Sequence, residues 1–229
     1  MKWLNDFISL AFPRICVCCG NALWKNEEIL CRLCEYHLPL THFHTEADNP
    51  VTRLFWGRVQ VEHAASFLYF NKGSKVQRMI HQLKYKGRQD IGRYLGHQYG
   101  CELAETASYK QPELIIPVPL HQKKEKQRGY NQSELFALGL SEVMKIPVGK
   151  KLLVRKKATA TQTRKARFER FRNVNAVFTI PNPEPLNGKH VLLVDDVITT
   201  GATVEACALL LTAIPGCKVS VASIAVARV

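Results

Sequence analysis

Val191-Leu-Leu-Val-Asp195-Asp196-Val-Ile-Thr199-Thr200-Gly201-Ala202-Thr203 decides the reading of this chain. Its apolar run predicts a buried parallel strand over His190–Asp195, because strands covered on both faces lack polar alternation. Two acids stand at the carboxyl end of that strand, the end at which open α/β sheets bind ligands. A short Thr/Gly loop then opens a helix expected over Thr203–Ile214, with Thr203 as its N-cap. Backbone N–H groups at such a helix mouth have no intrahelical partner and carry the positive end of the helix dipole, so they attract an anion. Gly201 lets the backbone approach a phosphate, and Thr199, Thr200 and Thr203 add hydroxyl donors. Carboxylates beside an anion cradle make sense for a ligand that carries both kinds of group. Asp195 and Asp196 accept hydrogen bonds from the ribose 2′- and 3′-hydroxyls, or assist a bound Mg²⁺, while loop 199–203 takes the 5-phosphate. Neither GxxxxGK[ST] nor GxGxxG is present, which excludes the other common phosphate loops.

Outward from this segment, strand character recurs at Val59–Phe70, Leu114–Val118, Leu152–Val154, Val174–Ile180 and Lys218–Val226. Helical periodicity marks Val76–Leu83, Ile91–Ala104 and Ser133–Met144. Strands alternating with helices predict a parallel sheet flanked by helices, from about residue 59 to the end. With 229 residues, 46% hydrophobic and 22% charged, the chain suffices for one such domain and a small accessory module. The division expected is 1–58 for the module and 59–229 for the α/β domain. Residues 2–12 pattern as a short amphipathic helix with Trp3, Leu4, Phe7, Ile8 and Ala11 on one side. Asn5 and Asp6 interrupt that run and no small-residue cleavage site precedes Pro13, which argues against a signal peptide. No stretch reaches the roughly 18–20 apolar residues of a bilayer span, so a cytoplasmic protein is expected.

Four of the eight cysteines, Cys16, Cys19, Cys31 and Cys34, stand in CxxC-x11-CxxC spacing. Two thiolates on each of two knuckles close a tetrahedral Zn²⁺ site, and four protein ligands leave no open position, so the metal is structural. The small module would depend on it to fold. Cys18 is surplus to this spacing, and His37, His42 and His44 are expected to be bystanders.

The net charge is +13. Between His121 and Arg172 there are 15 Lys and Arg against 4 Asp and Glu, a field suited to a phosphorylated ligand or a nucleic acid. A basic loop carrying Lys123, Lys124, Lys126 and Arg128 ends at Gly129. Arg128 can fork onto a phosphate and Gly129 permits close backbone approach. A second basic loop, Arg155–Arg172, is a candidate hood over the site, or part of a nucleic-acid track with Phe168 and Phe171 stacking bases.

These thirteen residues resemble the signature that binds 5-phosphoribosyl-1-pyrophosphate (PRPP) in type I phosphoribosyltransferases. The whole chain is similar to one branch, the ComF/GntX family of competence-related proteins. The resemblance runs through Cys16-Val-Cys-Cys19-Gly20, Cys31-Arg-Leu-Cys34, Leu83-Lys-Tyr85-Lys86-Gly87, Pro117-Val-Pro119-Leu-His121, Arg128-Gly129-Tyr130-Asn131-Gln132-Ser133 and Thr159-Ala-Thr161-Gln162. Lys165 departs from it, standing where the family usually has Leu. The resemblance implies the type I phosphoribosyltransferase fold, PRPP bound by Asp195, Asp196, Thr199, Thr200, Gly201, Ala202 and Thr203, and pyrophosphate contacted by Arg128 and Gly129, with Mg²⁺. It also implies a part in DNA uptake and natural transformation, with single-stranded DNA and proteins of the uptake machinery as partners. The other expectation is an active phosphoribosyltransferase of nucleotide metabolism with Asp195, Asp196 and Arg128 as catalytic residues.

Overall fold

The computed structural model describes residues 13–155 and 177–227. The helix expected over residues 2–12 and the segment 156–172, with Phe168 and Phe171, lie outside them. Along the described chain come strands β1 (Ala64–Phe70), β2 (Leu114–Pro117), β3 (Val154–Arg155), β4 (Phe178–Thr179), β5 (His190–Ile198) and β6 (Lys218–Ala227). The helices are α1 (Arg32–Tyr36), α2 (Pro50–Arg53), α3 (Lys75–Tyr85), α4 (Asp90–Glu105), α5 (Gln122–Arg128), α6 (Gln132–Met144) and α7 (Ala202–Thr212).

The expected parallel sheet is present, in the order β1-β6-β5-β2 with every pair parallel. Consecutive residues of β5 and β6 are buried, which requires cover on both faces. Helices α4 and α6 pack against each other and α6 lies on β2 and β5, while α7 packs on β4, β5 and β6. The sheet edges are closed rather than left as free templates. Residues 39–41 bond to β1 through Tyr69 N–H to Pro39 O and Thr41 N–H to Phe67 O. Pro147 and Gly149 bond to Ile115 of β2.

Some boundaries move. Regular pairing of the first strand begins at Ala64, not Val59, and β3 pairs with β4 in a separate antiparallel ribbon instead of joining the sheet. The lysine-rich stretch expected as a loop is helix α5, capped by the His121 side chain, whose Nδ1 accepts from Lys123 N–H at 3.2 Å. It buries no residue, so no apolar stripe betrays it in the sequence. By contrast α3 buries Val76, Met79, Ile80 and Leu83 on one face, the spacing that makes it legible. Among the described residues no helix is long and apolar enough to cross a membrane.

Candidate functional site

Strand β5 runs through the two acids to Ile198, three residues past the expected end at Asp195, so Asp195 and Asp196 lie within its C-terminal part. Side chains alternate along a strand, and the two carboxylates accordingly meet different neighbours. Asp195 Oδ1 accepts from Ser133 Oγ at 3.0 Å and from the Asp196 N–H at 2.8 Å. Asp196 is gripped by Lys84, whose Nζ lies 3.0 Å from Oδ1 and 2.9 Å from Oδ2. Burial, and then the neighbouring Asp196 charge, push the Asp195 carboxyl up to about 7, against the pull of the Asp196 amide, Ser133 and Lys84.

A small concavity follows, lined by Asp195 and by residues 197–204. Gly201 has φ +77°, the left-handed region that favours glycine, and a Cβ there would lie 3.3 Å from the Phe55 ring, a tight contact. It is Gly201, not Thr203, that caps α7, and no side chain satisfies the first amides of that helix. Those amides therefore stay available to an anion. Thr199, Thr200, Ala202 and Thr203 are exposed around them, and among the described residues the hydroxyls of Thr199, Thr200 and Thr203 make no hydrogen bond.

Arg128 and Gly129 are brought to the same edge. The Arg128 guanidinium stacks over the Tyr85 ring at 5.1 Å and donates to Gln132 Oε1 at 2.6 Å. Gly129 holds φ +80° as the cap of α5. The space beside it is open, so its backbone conformation, not a close approach, is what requires glycine here. Tyr130 Oη donates to Leu83 O at 2.5 Å and Asn131 Nδ2 to Val118 O at 2.9 Å. These bonds fasten the α5–α6 turn to the end of α3 on one side and to the strand end after β2 on the other. Lys84, Tyr85 and Ser133 complete the cluster. They stand in two of the strings that carry the family resemblance, but only the fold shows which acid each of Lys84 and Ser133 serves.

The sulfurs of Cys16, Cys19, Cys31 and Cys34 all lie within 4.8 Å of one another. The edge of a tetrahedron of thiolates around an ion 2.3 Å away is about 3.8 Å, and Cys19 and Cys31 are 3.7 Å apart. The four residues thus fit a metal ion. Cys18 is fully buried outside the cluster, and His37, His42 and His44 are not in it; His44 packs on Tyr99 with ring centroids 5.7 Å apart.

Residues 131–228 match the phosphoribosyl transferase domain model. The chain is 32% identical over 208 residues to the DNA utilization protein YhgH of Escherichia coli (strain K12), covering 89% of this chain and 86% of that protein. It is 36% identical over 131 residues to competence protein F of Haemophilus influenzae, covering 56% and 57% of the two chains. Among solved structures, purine phosphoribosyltransferase from Pyrococcus horikoshii Ot3 aligns with a TM-score of 0.39 and 22% identity, covering 58% of this chain and 74% of that one. Likeness to a DNA utilization protein along nearly the whole chain, and to a competence protein over more than half of it, means that this protein belongs to the ComF family of competence-related, phosphoribosyltransferase-like proteins.

Proposed function

We propose that this protein binds PRPP, or another ribose bearing a 5-phosphate, and serves DNA uptake by handling single-stranded DNA in the cytoplasm. One arrangement carries the reading: the Asp195–Asp196 pair, held by Ser133 and Lys84, opens beside the first amides of α7, which no side chain caps. The amides and hydroxyls of residues 199–203 receive the 5-phosphate. Asp195 and Asp196 receive the ribose hydroxyls, and Arg128 and the Gly129 backbone face the pyrophosphate. Mg²⁺, when bound with PRPP, neutralises charge on the pyrophosphate oxygens. The cysteine cluster holds a structural Zn²⁺, since a set of four thiolates suits that ion and leaves no open position. The names of the relatives and the exposed lysines of α5 support DNA as a partner.

The test is calorimetry with PRPP and Mg²⁺, alongside retardation of a labelled single-stranded oligonucleotide. Replacing both acids (Asp195→Ala with Asp196→Ala) is expected to abolish the heat of PRPP binding and to leave retardation unchanged. A wild-type protein that gives neither heat nor a thermal shift with saturating PRPP and Mg²⁺ sinks the ligand reading. Pyrophosphate release with candidate acceptors, measured on the same samples, tells binding from transfer.

A further inference from the structure

We propose that Lys84 is a resident cation for the carboxylate pair, so that the ribose 5-phosphate half of the ligand binds without a divalent metal. The inference rests on the ribose-phosphate reading above and deepens it, by confining any Mg²⁺ requirement to the pyrophosphate.

Two adjacent carboxylates at the mouth of a site ordinarily invite a divalent ion to offset their charge. Here the Lys84 ammonium already contacts both oxygens of Asp196, at 2.9 and 3.0 Å. The two side chains are only 22% and 14% exposed, so solvent screens the pair little. A metal ion set against Asp196 would meet this ammonium at contact range. Withdrawal of Lys84 is opposed on both sides of it. Leu83 O accepts from Tyr130 Oη, and Tyr85 lies under the Arg128 guanidinium. Lys84 therefore sits in the last turn of a helix whose end is fastened to the opposite wall of the site.

The ion pair leaves the acids able to bind sugar. An ionised carboxylate offers about four lone-pair positions, and one ammonium contact on each oxygen uses two. Asp195 engages only Oδ1, with Ser133 and the Asp196 amide, and Oδ2 has no partner among the described residues. Acceptors for two hydroxyls are thus present with the Asp196 charge already offset. The ligand class is any molecule that joins a ribose diol to a 5-phosphate, with or without a pyrophosphate at the anomeric carbon.

The experiment titrates the full chain with ribose 5-phosphate, once in EDTA and once in excess Mg²⁺, by calorimetry. Wild type is expected to bind with the same affinity in both. Lys84→Met removes a charge-assisted bond and leaves Asp196 uncompensated, so its affinity in EDTA falls about 10- to 100-fold. Lys84→Arg keeps the charge and retains metal-free binding. Far-UV circular dichroism and Tm establish that each variant is folded, and the wild-type comparison needs no variant. Wild-type binding that appears only with Mg²⁺ overturns the proposal, as does Lys84→Met binding like wild type in EDTA. Absence of binding in both buffers overturns the ribose-phosphate reading itself, which separates the two failures.

Discussion

Asp195 combines burial and a neighbouring carboxylate with the Asp196 amide on its own strand, Ser133 on α6 and the Lys84 ammonium on α3. Because burial and Asp196 outweigh those partners, its folded-state carboxyl titrates near 7, above its ordinary value of 3.8. Between those two values the folded protein holds a proton that the unfolded chain has lost. Stability from this group is therefore fully present below about pH 4 and declines as pH rises through 7. Asp195→Asn lacks this titration, so its Tm relative to wild type is expected to climb between pH 5 and pH 8. Thermal melts of both proteins across that range check it, and a difference that stays flat or falls refutes the assignment. The acids themselves were legible because two adjacent Asp after four apolar residues have few roles other than ligand binding. Lys84 and Ser133 were not assignable, since they reach these acids across 112 and 62 residues of chain. No local pattern encodes a contact of that kind.

Helix α3 ties the cysteine module to the site. Near its start, Lys75 Nζ lies 3.5 Å from Cys34 Sγ, and Arg78 Nη1 donates to Cys18 O. Gln82 Nε2 donates to Val17 O at 2.8 Å, and two residues later Lys84 grips Asp196. The knuckles thus fix the rotation and height of the helix that presents Lys84, and the proposed metal becomes a positioning element for the acids. Elemental analysis is expected to find about one zinc per chain. Stripping it with a strong chelator should lower Tm and weaken ribose 5-phosphate binding about fivefold or more, the usual span of coupling between linked sites. A metal-free chain with unchanged Tm and affinity contradicts this linkage. The sequence announces α3 by its apolar stripe and the knuckles by their spacing, but not that one rests on the other. Helix α5 escaped notice for the opposite reason: with every side chain at least partly solvated, its sequence carries charge without periodicity.

At the scale of the whole molecule, alternating apolar and amphipathic segments made a helix-covered parallel sheet legible. The order β1-β6-β5-β2 was not, because strand neighbours are chosen by crossovers that leave no mark in composition. That order sets β5 between β6 and β2 and brings the α5–α6 turn beside the acids. The basic field at this edge consequently belongs to two surfaces. Arg128 is turned inward to Tyr85 and Gln132, while Lys123, Lys124 and Lys126 are exposed on α5. In a chain of net charge +13, those exposed lysines suit a polyanion that never enters the ribose site. Single-stranded DNA binding would then release about 0.7 counterions per phosphate neutralised, and affinity would fall with salt accordingly. Changing Lys123, Lys124 and Lys126 to Gln is expected to flatten the slope of log K against log salt by about 2. The Asp195→Ala, Asp196→Ala protein should keep the wild-type slope. Fluorescence anisotropy of a labelled oligonucleotide across a salt series measures both. An unchanged slope in the triple variant would move the DNA track off α5, and a slope altered by loss of the acids would merge the two surfaces into one.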